Sequence, residues 1–239
     1  MSESLVELKN VGKSYGKIKA VSGLSFSIKR GAITAFLGEN GAGKTTTIKL
    51  ILGFLRPDSG RVSHRSLSIG FIPDRPLFFS WISGQEILEI TARYFGIEQS
   101  ELKRRVKEFS PKIGFDTSLL TRKVQSYSMG NQKKISYLQS LIILPDLLIA
   151  DEPFAGLDPV SIKLARDLFV ELRNSGKTLF LSSHLISELE KIYDEVIIIR
   201  KGQIVFSGSR EEMGLNGQPD LEALFLTFQR DLNSSVLLE

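Results

Sequence analysis

The chain contains no cysteine, which excludes disulfides and thiolate metal sites and fits a reducing compartment. Long apolar runs are missing too. The longest, Leu138 to Ala150, covers 13 residues and is interrupted by Ser140, Pro145 and Asp146, well short of the ~20 that a membrane helix needs. Met1-Ser2-Glu3-Ser4 lacks the basic region and apolar core of a secretory signal. These absences predict a cytoplasmic protein, so any action at a membrane needs another chain to do the crossing. A net charge of +4 is too mild to argue for nucleic acid, and it leaves a solvated basic surface or an anionic membrane face. No N-K-x-D guanine-reading motif occurs, which counts against a GTPase switch. What is present, 239 residues with 42% hydrophobic and 24% charged, can bury a large core as one or two domains.

The most informative stretch is Phe36-Leu37-Gly38-Glu39-Asn40-Gly41-Ala42-Gly43-Lys44-Thr45-Thr46-Thr47, which fits G-x-x-x-x-G-K-[ST]. A chance match in a chain of this length has odds of about one in a hundred. The apolar strand expected at Ile33 to Leu37 and the helix expected from Lys44 to Leu55 lower those odds further. Glycines at 38, 41 and 43 let the backbone turn successive N–H groups toward one phosphate chain, and the helix N-terminus adds partial positive charge. Lys44 is placed to reach the β- and γ-phosphates and Thr45 to hold Mg²⁺. The chain therefore binds a nucleoside triphosphate. A dinucleotide fingerprint does not fit, because Gly38-Glu39-Asn40-Gly41 breaks the G-x-G-x-x-G spacing.

Before this motif, Leu5 to Leu8 and Leu24 to Ile28 read as half-buried strands around a turn-rich stretch from Asn10 to Lys19. Tyr15 in that stretch offers a ring that could stack on a purine or simply pack. After the first helix, Pro57-Asp58-Ser59-Gly60 is a turn, followed by short strands between Arg61 and Ile72. A helical subdomain follows, at about 75–146. Helical spacing runs from Gln85 to Glu108, with Gly96 as a stop and Ser100 as the cap of a second helix. Leu77-Phe78-Phe79-Ser80-Trp81-Ile82, the most aromatic run of the chain, suits either core packing or a docking groove. Lys103-Arg104-Arg105 and Arg122-Lys123 read as solvated faces.

Tyr127-Ser128-Met129-Gly130-Asn131-Gln132 opens a helix to about Leu144, stopped by Pro145. Its Ser and Gly make either a plain N-cap or a second anion site. Leu147 to Ala150 is a buried strand ending in Asp151 and Glu152. In P-loop enzymes such acids hold Mg²⁺ and activate the attacking water. Asp158-Pro159 caps an amphipathic helix closed by Gly176, and a strand from Thr178 to Leu181 leads to His184. His64 reads as a solvated side chain in a turn-rich stretch. Glu195 to Ile199 and Gln203 to Phe206 form a hairpin about Lys201-Gly202, and Asp220 to Leu232 forms a short amphipathic helix.

Together these residues resemble the ATP-binding cassette family, specifically the nucleotide-binding subunit of a transporter, over nearly the whole chain and in the family's order. Gly38 to Thr45 is similar to its Walker A motif, Tyr15 to its adenine-stacking aromatic, Leu147 to Asp151 to Walker B, and Glu152 to its general base. Ala155-Gly156-Leu157-Asp158 looks like the D-loop, His184 like the switch histidine, and Ser128-Met129-Gly130 like the signature motif. The resemblance implies an α/β P-loop NTPase cassette, 1–239, with a RecA-like core, an N-terminal antiparallel β subdomain and the helical subdomain. It also implies ATP and Mg²⁺ as cofactors, hydrolysis, a separately encoded transmembrane subunit, and head-to-tail pairing with a second nucleotide-binding subunit. On this resemblance the protein is peripheral on the inner face of the membrane, in a small exporter system; a soluble cassette ATPase acting as an assembly or regulatory factor shares the same motifs. Three departures stand out: Asp74 replaces the usual Gln or Glu, Asn131 replaces the signature's usual Gln, and Gly60 to Ile69 is a shortened connection.

Overall fold

The computed structural model describes residues 3–65, 67–213 and 221–230. They fall into two compact units, one made of 3–65 with 180–213 and 221–230 and the other of 67–179.

The first unit opens with a long antiparallel hairpin, β1 (Ser4–Tyr15) and β2 (Ile18–Lys29), joined at Gly16-Lys17. The turn-rich stretch expected from Asn10 to Lys19 is therefore mostly strand. Register shifts between Leu8 and Val11, Val11 and Lys13, and Lys13 and Ser14 absorb its turn-forming residues, and Asn10 takes a φ of 50°. Bulges of this kind let polar residues leave the ladder without ending the strand. β3 (Ile33–Leu37) is buried at all five positions, the run expected of a strand covered on both faces. The glycine loop leads into α1 (Lys44–Ile51), which buries Ile48, Leu50 and Ile51. β4 (Ser59–His64) then pairs antiparallel with β1. His64 lies at the end of that strand rather than in a turn, with Nε2 2.5 Å from the Ile51 carbonyl.

The second unit starts with β5 (Ile69–Ile72), parallel to the later β6 (Leu147–Asp151). Between them run α2 (Gly84–Tyr94), α3 (Gln99–Lys112), two 3₁₀ turns and α4 (Met129–Leu141). A capping box fixes the start of α2: Ser83 accepts from the Glu86 N–H, and Glu86 accepts from Ser83. Gly96, with φ 67°, ends the segment. The Ser100 cap is not formed, because α3 begins two residues earlier than that cap requires, at Gln99 behind Glu98, with no side-chain cap bond. α4 stops at Leu141 rather than Leu144. Leu144, just before Pro145, has φ 50°, a left-handed backbone that cannot continue a right-handed helix. α5 (Pro159–Asn174) follows, capped by Asp158.

β7 (Thr178–Ser183) runs into the returning part of the first unit, where the ring of Phe180 stacks 6.1 Å from Phe26 and lies 5.1 Å from Phe36. After a helical turn, α6 (Ile186–Leu189), β8 (Glu195–Arg200) pairs parallel with β3 and antiparallel with β9 (Gln203–Ser209). The turn between them carries Lys201 and Gly202 at φ 46° and 78°, as a two-residue primed hairpin turn requires. A further turn, α7 (Arg210–Met213), precedes α8 (Leu221–Arg230). The ends of the expected tail helix, Asp220, Asp231 and Leu232, lie outside the described residues. Among the described residues no helix is long and apolar enough to cross a membrane.

Candidate functional site

In the first unit the chain leaves β3, makes a glycine loop and enters α1. A Cβ on Gly38 would sit 2.6 Å from the Ile199 carbonyl, so only glycine lets the loop leave so close to β8. Gly43 has φ 107° and lies against the Ala20 carbonyl of β2. The β8–β9 turn braces the same loop: Gly202 donates to the Ala42 carbonyl at 2.9 Å and accepts from Ser22 at 2.8 Å. Lys44 is buried, and its ammonium donates to the carbonyls of Gly38 (2.6 Å) and Glu39 (3.2 Å). That arrangement holds a cation over the loop, beside helix N–H groups that have no intrahelical acceptor. It suits a polyphosphate. Glu39, Asn40, Gly41 and Thr45 are exposed at the rim, Thr46 is half-buried and Ala42 is buried.

Tyr15 belongs to the same unit. It ends β1 opposite Ile18, two residues from the Ala20 carbonyl that Gly43 packs on, roughly 7 Å along the strand. Its ring is half exposed, as a stacking surface must be. His184 is exposed just after β7, where the Ser183 hydroxyl accepts from the Leu185 N–H.

The second unit brings the two acids together with the serine helix. β6 is buried throughout and delivers Asp151 and Glu152 at its end, both of them buried. Glu152 has φ 49°, a left-handed backbone that costs a residue with a Cβ about 1–2 kcal/mol. Ser128 caps α4, its Oγ accepting from Asn131 N–H at 3.3 Å. The motif glycine Gly130 lies against Gly156, whose carbonyl would be 3.2 Å from an added Cβ. Asp158 caps α5 through Ser161, whose hydroxyl (2.6 Å) and N–H (2.9 Å) hold the Asp158 carboxyl down to about 2. Asp74 has an exposed side chain, with Oδ2 4.0 Å from Arg75 Nε.

Lys133 is the residue that sequence reasoning passed over. It lies five residues into α4, fully buried, and donates to four backbone carbonyls: Pro73 (2.7 Å), Glu152 (2.9 Å), Asp74 (3.1 Å) and Asp151 (3.3 Å). Burial pushes its pKa down to about 8, against the opposing pull of the Asp74, Asp151 and Glu152 charges, so the ammonium persists at neutral pH. Tyr137, one turn on, donates to the Pro153 carbonyl at 2.9 Å, and burial pushes its phenol far above the ordinary range. Ion-pair spacing gives no hint of either residue, since their partners are main-chain oxygens.

A glycine loop between a buried parallel strand and a helix, a buried acidic strand end, and a serine-capped helix packed on the loop after those acids define the class: a P-loop ATPase of the cassette type. The ABC transporter family profile matches residues 21–155, and the chain belongs to that family. An uncharacterised ABC transporter ATP-binding protein of Nostoc sp. is 34% identical over 207 residues, covering 82% of this chain and 62% of its own. The chain thus spans less than two thirds of that relative. The bacitracin transport ATP-binding protein BcrA of Bacillus licheniformis is also 34% identical, over 98% of this chain and 78% of its own. Among solved structures, an ATP-binding subunit of an ABC transporter superposes with a TM-score of 0.87 at 27% identity, covering 95% of this chain and all of that one.

Proposed function

We propose that this protein is the ATP-hydrolysing subunit of a transporter and drives a separately encoded membrane chain, as a peripheral protein on the membrane's inner face. One observation carries the reading. In the second unit Leu77 is 93% exposed, Tyr94 83%, and Phe79 and Trp81 66% each, the last two stacked at 4.9 Å. Leu77, Phe78, Ile90 and Tyr94 line a groove of about 440 Å³. Apolar surface left open on this scale marks an interaction site, and a membrane chain's cytoplasmic segment is the partner that the family supplies. That BcrA is named as a transport ATP-binding protein supports the transporter assignment.

The residues divide the work. Gly38 to Thr46 bind the phosphates, Tyr15 stacks on the base, and Asp151 with Thr45 offers the hard oxygen ligands that suit Mg²⁺. ATP with Mg²⁺ supplies the phosphoryl group that is transferred. Glu152 takes the proton of the attacking water, and His184 positions it. Ser128, Gly130, Asn131 and Asp158 are presented to a second nucleotide-binding subunit, whose P-loop faces them; exposed Met129 beside them supports that use.

Replacing Phe79 and Trp81 by Glu is expected to release the protein from membranes while nucleotide binding persists. Fractionation and co-purification of the native and variant proteins test this. A native protein recovered only with soluble partners would make it an assembly or regulatory factor instead.

Asp74 is one C–C bond shorter than Gln, about 1.5 Å, so a carboxylate at this position serves Mg²⁺ through water or requires the loop to move inward. Asp74→Gln is expected to move the Mg²⁺ dependence of hydrolysis only about two- to threefold. Complete loss of activity would give Asp74 a direct role.

A further inference from the structure

We propose that Lys133 and Tyr137 are positioning residues that hold the Asp151–Pro153 backbone, and with it the Glu152 carboxylate, from one face of α4. The inference rests on Glu152 acting as the general base.

Positions 133 and 137 are four apart, so their side chains leave the helix on the same side. From there they reach three successive carbonyls, those of Asp151, Glu152 and Pro153. The same ammonium also takes the carbonyls of Pro73 and Asp74, joining the loop after β5 to the loop after β6. Further along α4, Ser140 donates to the Phe71 carbonyl at 2.6 Å, so the helix is bonded to both strand ends. A buried ammonium is an expensive filler, since an apolar side chain of equal length would occupy the space with no desolvation cost. Its use here is to supply three N–H donors to backbone groups. Their conformation is the part that needs support. Glu152 has φ 49°, and such a backbone persists only where its surroundings over-determine it. The carbonyls on either side of that peptide, together with its own, are the ones bonded. Released from them, the segment relaxes toward negative φ and the carboxylate turns away from its place.

The test uses the full chain. Lys133→Met keeps length and removes every donor, Lys133→Gln restores two N–H groups, and Tyr137→Phe removes one hydroxyl. Lys133→Met is expected to lower kcat for ATP hydrolysis about ten- to a hundredfold, Lys133→Gln to recover part of it, and Tyr137→Phe to cause a smaller fall. ATP affinity measured without Mg²⁺ should change less than about twofold, because every bond of Lys133 lies in the second unit and the glycine loop lies in the first. Amide exchange of residues 151–156 should quicken in Lys133→Met. In a Glu152→Gln background, Lys133→Met should cause no further fall. Native turnover in Lys133→Met, or an equal fall in both backgrounds, would overturn the proposal, as would loss of ATP affinity in step with turnover. If Lys133→Met does not fold, Tyr137→Phe is put through the same cycle and decides the matter by the same outcomes. Native hydrolysis by Glu152→Gln alone would instead sink the general-base assignment.

Discussion

Glu152→Gln is expected to bind ATP normally, hydrolyse it about 10²–10⁴ times more slowly, and accumulate as a long-lived dimer. Phosphoryl transfer to water needs a water aligned on the phosphate and relieved of its proton, and positioned general-base help is worth about 10²–10⁴ in rate. Gln matches Glu in size but takes no proton. Lys44, Thr45 and Asp151 are untouched, so binding persists. On the proposed role of Glu152 beside the phosphates, removing its negative charge lowers repulsion as well. In the proposed head-to-tail arrangement an unhydrolysed nucleotide keeps the two subunits together. Size-exclusion chromatography with and without Mg·ATP, beside a phosphate-release assay, measures both effects. Hydrolysis at the native rate would remove Glu152 from the catalytic role. Slow hydrolysis without an ATP-dependent dimer would show that pairing requires a membrane chain or a different cassette.

Lys44→Ala is expected to fail one step earlier, with ATP binding about ten- to a hundredfold weaker and no ATP-dependent dimer. The buried ammonium already donates to the Gly38 and Glu39 carbonyls, so it is held over the loop before any phosphate arrives. Hydrogen bonds to charged groups contribute about 1.5–3 kcal/mol each, which sets that range. Removing the side chain also takes two donors from the loop itself, and hydrogen exchange across residues 38–43 should rise. Titration with a fluorescent ATP analogue separates this variant from Glu152→Gln, which retains affinity. Native affinity in Lys44→Ala would mean that the loop N–H groups alone hold the phosphates.

The pairing of an apolar strand with a glycine loop and a helix was legible because all its parts are contiguous. Gly38 to Thr45 specifies its chemistry within eight residues, and the structure puts that loop between β3 and α1. The same holds for β6 and its terminal acids, since a four-residue apolar run ending in two carboxylates carries its own burial pattern. The hairpin turn at Lys201-Gly202 was equally plain, but not its use as a brace under Ala42, some 160 residues away. Where local signals competed with pairing, pairing won. The polar residues of Asn10 to Tyr15 read as turn, yet β2 and β4 on either side of β1 draw them into strand.

By itself the sequence determined the nucleotide loop, the acidic strand end, the serine helix start and the family, because each is a short pattern whose residue types are dictated by phosphate, metal or backbone chemistry. Only the tertiary structure decided two further points. The aromatic run could pack inward or stay open, and Leu77, Phe79 and Trp81 are open, since nothing in a run of aromatic residues says which other element will cover it. Lys133 reads as one more cation on a helix, yet it is buried under carbonyls 18, 19, 59 and 60 residues away. Main-chain oxygens are the same at every position of a sequence, and only folding brings four of them to one ammonium.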